Sequence, residues 1–376
     1  MPYTAATVQL LSPEGVLVEN DLSAEYLPVI ADLTDLQLRD MHRHMVVTRR
    51  FDEEATNLQR QGQLGMWVPS LGQEGAQVGS AFAARPQDHI FPSYREHLVG
   101  KVRGLDLIQV MRLLRGVTQG GWDPKETNNF HLYTLVLGVQ TLHATGYAMG
   151  LNLDGLSGTG DPEKDAAVMV YFGDGSTSQG DVSEAMVFSA SYQAPVVFFL
   201  QNNHWAISVP VKTQSRTPLY LRPQGFGIPS VQIDGNDALA SYAVTRSSLE
   251  AARIGGGPRY VEAVTYRMGA HTTSDDPTKY RSDDETDPWA KRDPILRFEA
   301  FLRSRGEGDS FFAEVATEAE DFAADIRART LELENPPLAA MFDNVYTDPH
   351  TLMAEQKQWL EQYEATLSDA ANGSAE

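Results

Sequence analysis

Two apolar runs constrain this chain more than any other feature: Ala166-Ala167-Val168-Met169-Val170-Tyr171-Phe172 and Pro195-Val196-Val197-Phe198-Phe199-Leu200-Gln201. Neither alternates polar with apolar residues, so neither suits a strand with one wet face. A short continuous apolar run fits a strand covered on both faces, as in a parallel sheet. Between them, Asp181–Tyr192 reads as a helix. Strand, helix and strand in that order supply the crossover that parallel strands need.

The alternation continues on both sides. His89–Phe91 is a short strand candidate, Leu105–Leu114 a helix, and Val139–Leu151 a helix rich in small residues (Ala144, Gly146, Ala148, Gly150). Ser230–Ile233 predicts a third buried strand, Asp237–Arg253 a helix, and Arg259–Tyr266 a fourth strand. The expected fold is therefore α/β, a parallel sheet flanked by helices. Upstream, Thr34 is a candidate N-cap for a long helix. Leu36, Met41, Met45, Val46 and Leu58 recur at helical spacing and the pattern stops at Gly62. His42 and His44, two apart, diverge on such a helix and make no metal pair. Residues 1–33 read as an extended arm that packs on something else, and 34–287 as the α/β domain. Residues 288–376 read as a helical extension, broken at Pro336-Pro337, with an acidic end that frays.

Composition excludes several functions. With no cysteine, the chain has no disulfides, thiolate metal sites or cysteine nucleophiles. A net charge of −21 repels nucleic acid and reads as a solubilising surface or an attraction to a basic partner. There is no run of eighteen apolar residues, and the first residues lack the basic-then-apolar order of a signal peptide. The expectation is an untargeted cytoplasmic protein with no membrane or nucleic-acid partner.

The chemistry lies where the two strands end. The first runs into Gly173-Asp174-Gly175-Ser176-Thr177-Ser178-Gln179-Gly180. Strand, glycine turn and helix start together present free backbone N–H groups to an anion. The glycine spacing misses the dinucleotide fingerprint and there is no Gly-Lys-Ser/Thr of a P-loop. Asp174 would repel a bare diphosphate, so the turn suggests a diphosphate bridged by a divalent cation. The second strand runs into Asn202-Asn203-His204-Trp205-Ala206-Ile207-Ser208. Adjacent parallel strands bring both turns to one edge. The Asp174 carboxylate, the Asn203 amide oxygen and the Trp205 carbonyl would then offer three hard oxygen ligands to magnesium, leaving positions for phosphate oxygens and water. Gly-Asp-Gly alone is a common turn, and its pairing with Asn-Asn after the next strand makes the signal specific.

With these motifs on the page, the chain resembles the alpha subunit of the thiamine-diphosphate-dependent E1 component of pyruvate and branched-chain 2-oxo acid dehydrogenases. Gly173–Asp181, Gln201–Pro210, Arg60–Ala81, Phe91–His97, Gln232–Asp237 and Tyr266–Ser282 carry the resemblance, which runs from about Leu33 to Phe342. It implies a thiamine diphosphate-binding fold, an α2β2 tetramer with a beta subunit, and a lipoyl-bearing E2 core as acyl acceptor. The substrate would be a small 2-oxo acid, pyruvate favoured over branched-chain acids. An acetoin dehydrogenase alpha subunit and a catalytically silent binding subunit stay open as alternatives.

The resemblance also implies residue roles. Tyr94 and Arg95 would sit at the diphosphate, with the backbone N–H groups of Gly175 and Ser176. Gln201 matches a position where branched-chain enzymes often carry an arginine, so a neutral donor would replace a charge. His271 would be the catalytic histidine at the start of a mobile loop that Tyr280 and Arg281 help to order. That loop, to Asp287, is so polar that it has little reason to pack alone. Leu135-Val136-Leu137-Gly138-Val139-Gln140 replaces a Ser-Pro-Leu/Ile-x-Thr-Gln stretch. Leu135 and Leu137 would lie beside the cofactor, Leu137 as an apolar wedge. Leu135 and Val139 lack the family's hydroxyls, which puts a potassium site in doubt. His143, one turn beyond Val139, faces either the site or the core. The glutamate that activates the aminopyrimidine would come from the beta subunit.

Overall fold

The computed structural model describes the backbone of residues 7–118 and 120–373, and side chains as far as residue 367. Six strands form one fully parallel sheet: β1 (Thr7–Val8), β2 (His89–Phe91), β3 (Val168–Gly173), β4 (Val196–Asn202), β7 (Ser230–Asp234) and β8 (Arg259–Val264). Their order is β1-β7-β8-β4-β3-β2. Between β4 and β7 lies a small antiparallel hairpin, β5 (Trp205–Ala206) and β6 (Val209–Pro210).

Strand alternation explains why the central runs are apolar throughout. Met169 and Tyr171 of β3, and Val197 and Phe199 of β4, enter the core on one face of the sheet. Val168, Val170 and Phe172, with Val196, Phe198 and Leu200, enter the core on the other. Both sets need apolar side chains, so no polar alternation survives.

The helices are, in chain order, α1 (Leu27–Ala31), α2 (Asp35–Arg60), α3 (Glu74–Ala83), α4 (His97–Val102), α5 (Ile108–Arg115), α6 (Val139–Leu153), α7 (Gly180–Ser191), α8 (Val211–Gln214) and α9 (Ala238–Ala251). They continue as α10 (Asp283–Ala290), α11 (Pro294–Ser304), α12 (Asp309–Leu331) and α13 (Thr351–Gly373). α2 opens with a capping box in which Gln37 N donates to Thr34 Oγ1 at 3.2 Å and Thr34 N donates to Gln37 Oε1 at 3.0 Å. Leu38, Met41, Met45, Phe51, Ala55 and Leu58 form its buried stripe. Leu36 points to solvent instead, because it lies two residues off that stripe. His42 packs on Phe311 and Phe312, whereas His44 packs on Phe82 of α3.

α3 was not legible from periodicity, because nine of its ten residues are buried and no polar face marks it. It crosses α9 so closely that a Cβ on Gly79 would lie 2.3 Å from the Ala238 carbonyl oxygen. The amino-terminal segment also departs from expectation. Thr7 and Val8 pair with Gln232 and Ile233, and Leu10 and Leu11 are fully buried in this chain's own core. Asp237 accepts the backbone N–H groups of both leucines at 2.7 and 2.6 Å. A two-residue edge strand has no periodicity to read.

Beyond residue 283 the chain is largely helical, with α12 packed along α2; it breaks at 332–337, where Pro336 and Pro337 stand, and again at 343–350 before α13. The end expected to fray includes residues 374–376, which lie outside the described residues. No helix among the described residues is long and apolar enough to cross a membrane.

Candidate active site

The turns after β2, β3, β4 and β8 all leave the sheet at its carboxyl edge, where parallel α/β sheets place their sites. Gly173 of β3 faces Gln201 of β4, so the Gly-Asp-Gly and Asn-Asn turns emerge side by side. The first folds as a 3-10 turn over Asp174–Ser178 before α7 begins. Its leading N–H groups have no partner within the turn itself. A Cβ on Gly175 would lie 2.8 Å from the Ala206 Cβ, so the two turns touch where only glycine fits.

Asp174 is 1% exposed and accepts from Gln214 Nε2 at 2.9 Å. Burial pushes its carboxyl up to about 6, opposed by the Gln214 bond and by the charge of Arg267. A carboxylate desolvated in this way, with a neutral amide as its side-chain donor, favours a cation. Asn203 is buried; its Oδ1 accepts from Trp205 N at 3.3 Å and its Nδ2 donates to Gln73 Oε1 at 3.4 Å. The Trp205 carbonyl accepts from Arg267 Nη1 at 3.2 Å and keeps a second lone pair.

Asp174, Asn203 and Trp205 line one cavity of about 150 Å³, together with Tyr94, Arg95, Leu137, Gly175, Ser176, Gln201 and His271. Ten of the eleven residues singled out from sequence thus meet. Leu135 does not: it is 63% exposed on an irregular stretch ahead of α6 and lies outside the cavity. His143 is exposed as well, facing neither the cavity nor the core.

Gln73, Ser93, Glu96, Ala206 and Ile207 also line the cavity and were missed. Glu96 is the consequential one. It is 2% exposed; Ser93 N donates to its Oε2 at 2.7 Å, and its Oε1 lies 2.6 Å from Gln201 Nε2. Burial pushes its carboxyl up against the pull of the Ser93 N–H and the Arg95 charge. The signal available was a second charge directly after the Tyr94-Arg95 pair. Gln201, expected as a neutral donor to the diphosphate, has its Nε2 engaged by Glu96 in this arrangement.

The segment after β8 is pinned by its own bonds, against the expectation that it has little reason to pack. His271 N donates to Asp275 Oδ2 at 2.8 Å, and Tyr280 OH donates to the same oxygen. Arg267, fully buried, donates through Nη2 to Tyr280 OH at 2.6 Å and to the Ile207 carbonyl at 2.7 Å. Arg281 donates to the carbonyls of Arg267, Met268 and Gly269. His271 is held neutral, its imidazole pushed down to about 4 by burial and then by the Arg95 and Arg267 charges.

The set fits a metal-bridged diphosphate. It offers a buried carboxylate, an amide oxygen, a backbone carbonyl and a guanidinium fork. Gln73 Nε2 and Gln201 Oε1 line the same cavity, buried and without partners, a cost that a polar ligand would remove. At about 150 Å³ the cavity is smaller than the roughly 300–1,000 Å³ of sites that bury a whole small ligand.

The dehydrogenase E1 component family profile matches residues 42–339. The chain is 41% identical over 356 residues to the 3-methyl-2-oxobutanoate dehydrogenase subunit alpha of Mycobacterium tuberculosis, covering 94% of this chain and 93% of the relative. It is 37% identical over 355 residues to the pyruvate dehydrogenase E1 component subunit alpha of Staphylococcus aureus, covering 93% and 91%.

Proposed function

Since the chain belongs to the dehydrogenase E1 component family, we propose that it is an E1 alpha subunit. Its cavity holds the diphosphate end of thiamine diphosphate through magnesium for the oxidative decarboxylation of a small 2-oxo acid. The observation that carries this reading is the convergence of Asp174, Asn203 and Trp205 with Arg95 and His271 on one cavity. When bound, thiamine diphosphate supplies the electron sink for decarboxylation. Asp174, Asn203 and the Trp205 carbonyl hold the cation. Arg95 and the N–H groups of Gly175 and Ser176 face the phosphates, and Leu137 lines the apolar side. His271, neutral and oriented through Asp275 and Arg95, holds a proton at the mouth of the site.

The small cavity calls for a second chain to complete the site. α6 and α7 present an exposed apolar face containing Tyr147, Leu153, Val187, Phe188 and Tyr192, with Leu153 86% exposed. On α6, added Cβ atoms at Gly146 and Gly150 would meet nothing within 4 Å. Such a face suits a beta subunit, in an α2β2 assembly that passes the acyl group to a lipoyl-bearing E2 core in the cytoplasm. The two relatives are named for different substrates, so comparing kcat/KM for pyruvate and 3-methyl-2-oxobutanoate assigns the acid. The reading itself is tested by dye-coupled decarboxylation with the purified chain, then with the beta subunit added. Activity is expected on mixing; full activity from this chain alone would overturn the shared site.

A further inference from the structure

The pairing of Glu96 with Gln201 leaves one atom of the Gln201 amide unsatisfied. Gln201 Nε2 and Glu96 Oε1 are 2.6 Å apart. That is a short contact, so the amide nitrogen is committed to the Glu96 carboxylate rather than to the cavity. The other amide atom, Gln201 Oε1, is buried with no partner, although Gln201 lines the cavity. The oxygen and nitrogen of an amide are exchanged by a half turn and are assigned from their surroundings. One exchange, coupled to protonation of Glu96, would give that oxygen a partner. With a proton on Glu96 Oε1, that hydroxyl donates to Gln201 Oε1, and Gln201 Nε2 is released. Glu96 Oε2 already accepts from Ser93 N at 2.7 Å and Arg95 N at 3.4 Å, which leaves Oε1 as the oxygen to carry the proton.

We propose that Glu96 and Gln201 form a proton-linked pair: binding of the cofactor diphosphate draws one solvent proton onto Glu96 and turns the Gln201 amide so that Nε2 donates to the phosphate. This rests on the diphosphate reading above and adds a positioning residue, Glu96, that acts through Gln201. The charges facing Glu96 support the sign. Arg95 stands beside it as a counter-charge, and the Tyr133 and Tyr171 hydroxyls feel its field from within the core. Asp174 and His271 line the same cavity. A fully ionised diphosphate carries more negative charge than one magnesium ion neutralises, so together they add net negative charge to that cavity, and a nearby negative charge favours the protonated form of a buried carboxyl. Burial by itself already raises the Glu96 carboxyl. A neutral acid–amide pair can thus serve as a donor where an arginine would have brought a fixed charge.

The test uses the chain complexed with its beta subunit, titrated calorimetrically at pH 8 with thiamine diphosphate and magnesium in two buffers of different ionisation enthalpy. Wild type should take up about one proton more per site than Glu96→Gln, which keeps the hydrogen bonding and removes the titration. From pH 8 to 9 the affinity of wild type should fall by up to about tenfold relative to the variant, one decade per proton and pH unit. Equal proton uptake in the two proteins overturns the pair while leaving the diphosphate site standing. Failure of wild type to bind at all overturns the underlying functional reading instead. Should Glu96→Gln not fold, infrared difference spectra of wild type decide. A carboxylic-acid C=O band arising on cofactor addition supports the pair, and an unchanged carboxylic-acid region overturns it.

Discussion

Arg95 and His271 meet through two atoms of the histidine: Arg95 Nη2 donates to the His271 carbonyl oxygen at 3.1 Å and lies 3.3 Å from Nδ1 of the ring. A guanidinium cannot accept, so this contact keeps Nδ1 unprotonated and leaves the ring proton on Nε2. The turn after β2 thereby sets both the place and the tautomer of a side chain after β8.

Arg95→Met should raise the His271 pKa from about 4, though not to the ordinary value of about 6.5, because burial is the larger cause of the depression. Proton NMR of the imidazole in the cofactor-free chain reads it directly. An unmoved titration would mean that the Arg95 charge does not reach the ring.

His271→Ala is expected to preserve the fold and lower kcat by roughly 10²-fold, the size lost with a positioned proton-transfer or charge-stabilising group. Steady-state assays of the reconstituted assembly check this. A variant with wild-type kcat would place His271 outside the chemistry.

Asp174→Asn should abolish magnesium-dependent cofactor binding, since it removes the charge from the ligand set while keeping its shape. Calorimetric titration with and without magnesium separates the metal contribution. Unchanged affinity would locate the cation elsewhere.

Tyr280→Phe deletes the hydroxyl that joins Arg267 to Asp275. A net loss of about 1 kcal/mol for such a bond makes opening of the 271–281 segment roughly fivefold more frequent. Limited proteolysis should therefore cleave there faster by that factor. Equal cleavage rates would show that the other bonds suffice.

His97 offers a pH test of stability. Its ring is fully buried, 2.8 Å from Tyr133 OH and 2.9 Å from the Val68 carbonyl, and burial holds its pKa down to about 4. The folded value lies below the unfolded one, so the stability it contributes is complete above about 6.5 and falls as the unfolded chain takes up the proton, down to about 4. His97→Phe should cost about 1–3 kcal/mol at pH 7.5 through two unpaired polar groups. The gap to wild type should narrow by roughly 2 kcal/mol at pH 5. Thermal melts at both pH values test the sign, and a gap that widens on acidification would contradict it.

The sequence by itself determined the elements whose chemistry is local or periodic. Apolar runs doubly covered by helices could be little else than buried parallel strands. Thr34 marked the start of α2, and residue type and spacing alone picked out the turns after β3 and β4 that meet at one cavity. Tertiary structure decided what depends on approach between distant segments. Thr7 and Val8 pair with β7, and Asp237, over two hundred residues away, captures the N–H groups of Leu10 and Leu11; no local pattern encodes either. Leu135 falls outside the cavity because the irregular stretch before α6 turns it to solvent. Glu96 reads as one more surface charge until β4 brings Gln201 against it. Hydrogen-bond partnership and desolvation are properties of the folded neighbourhood, so a residue's type limits what it can do while its neighbours settle what it does.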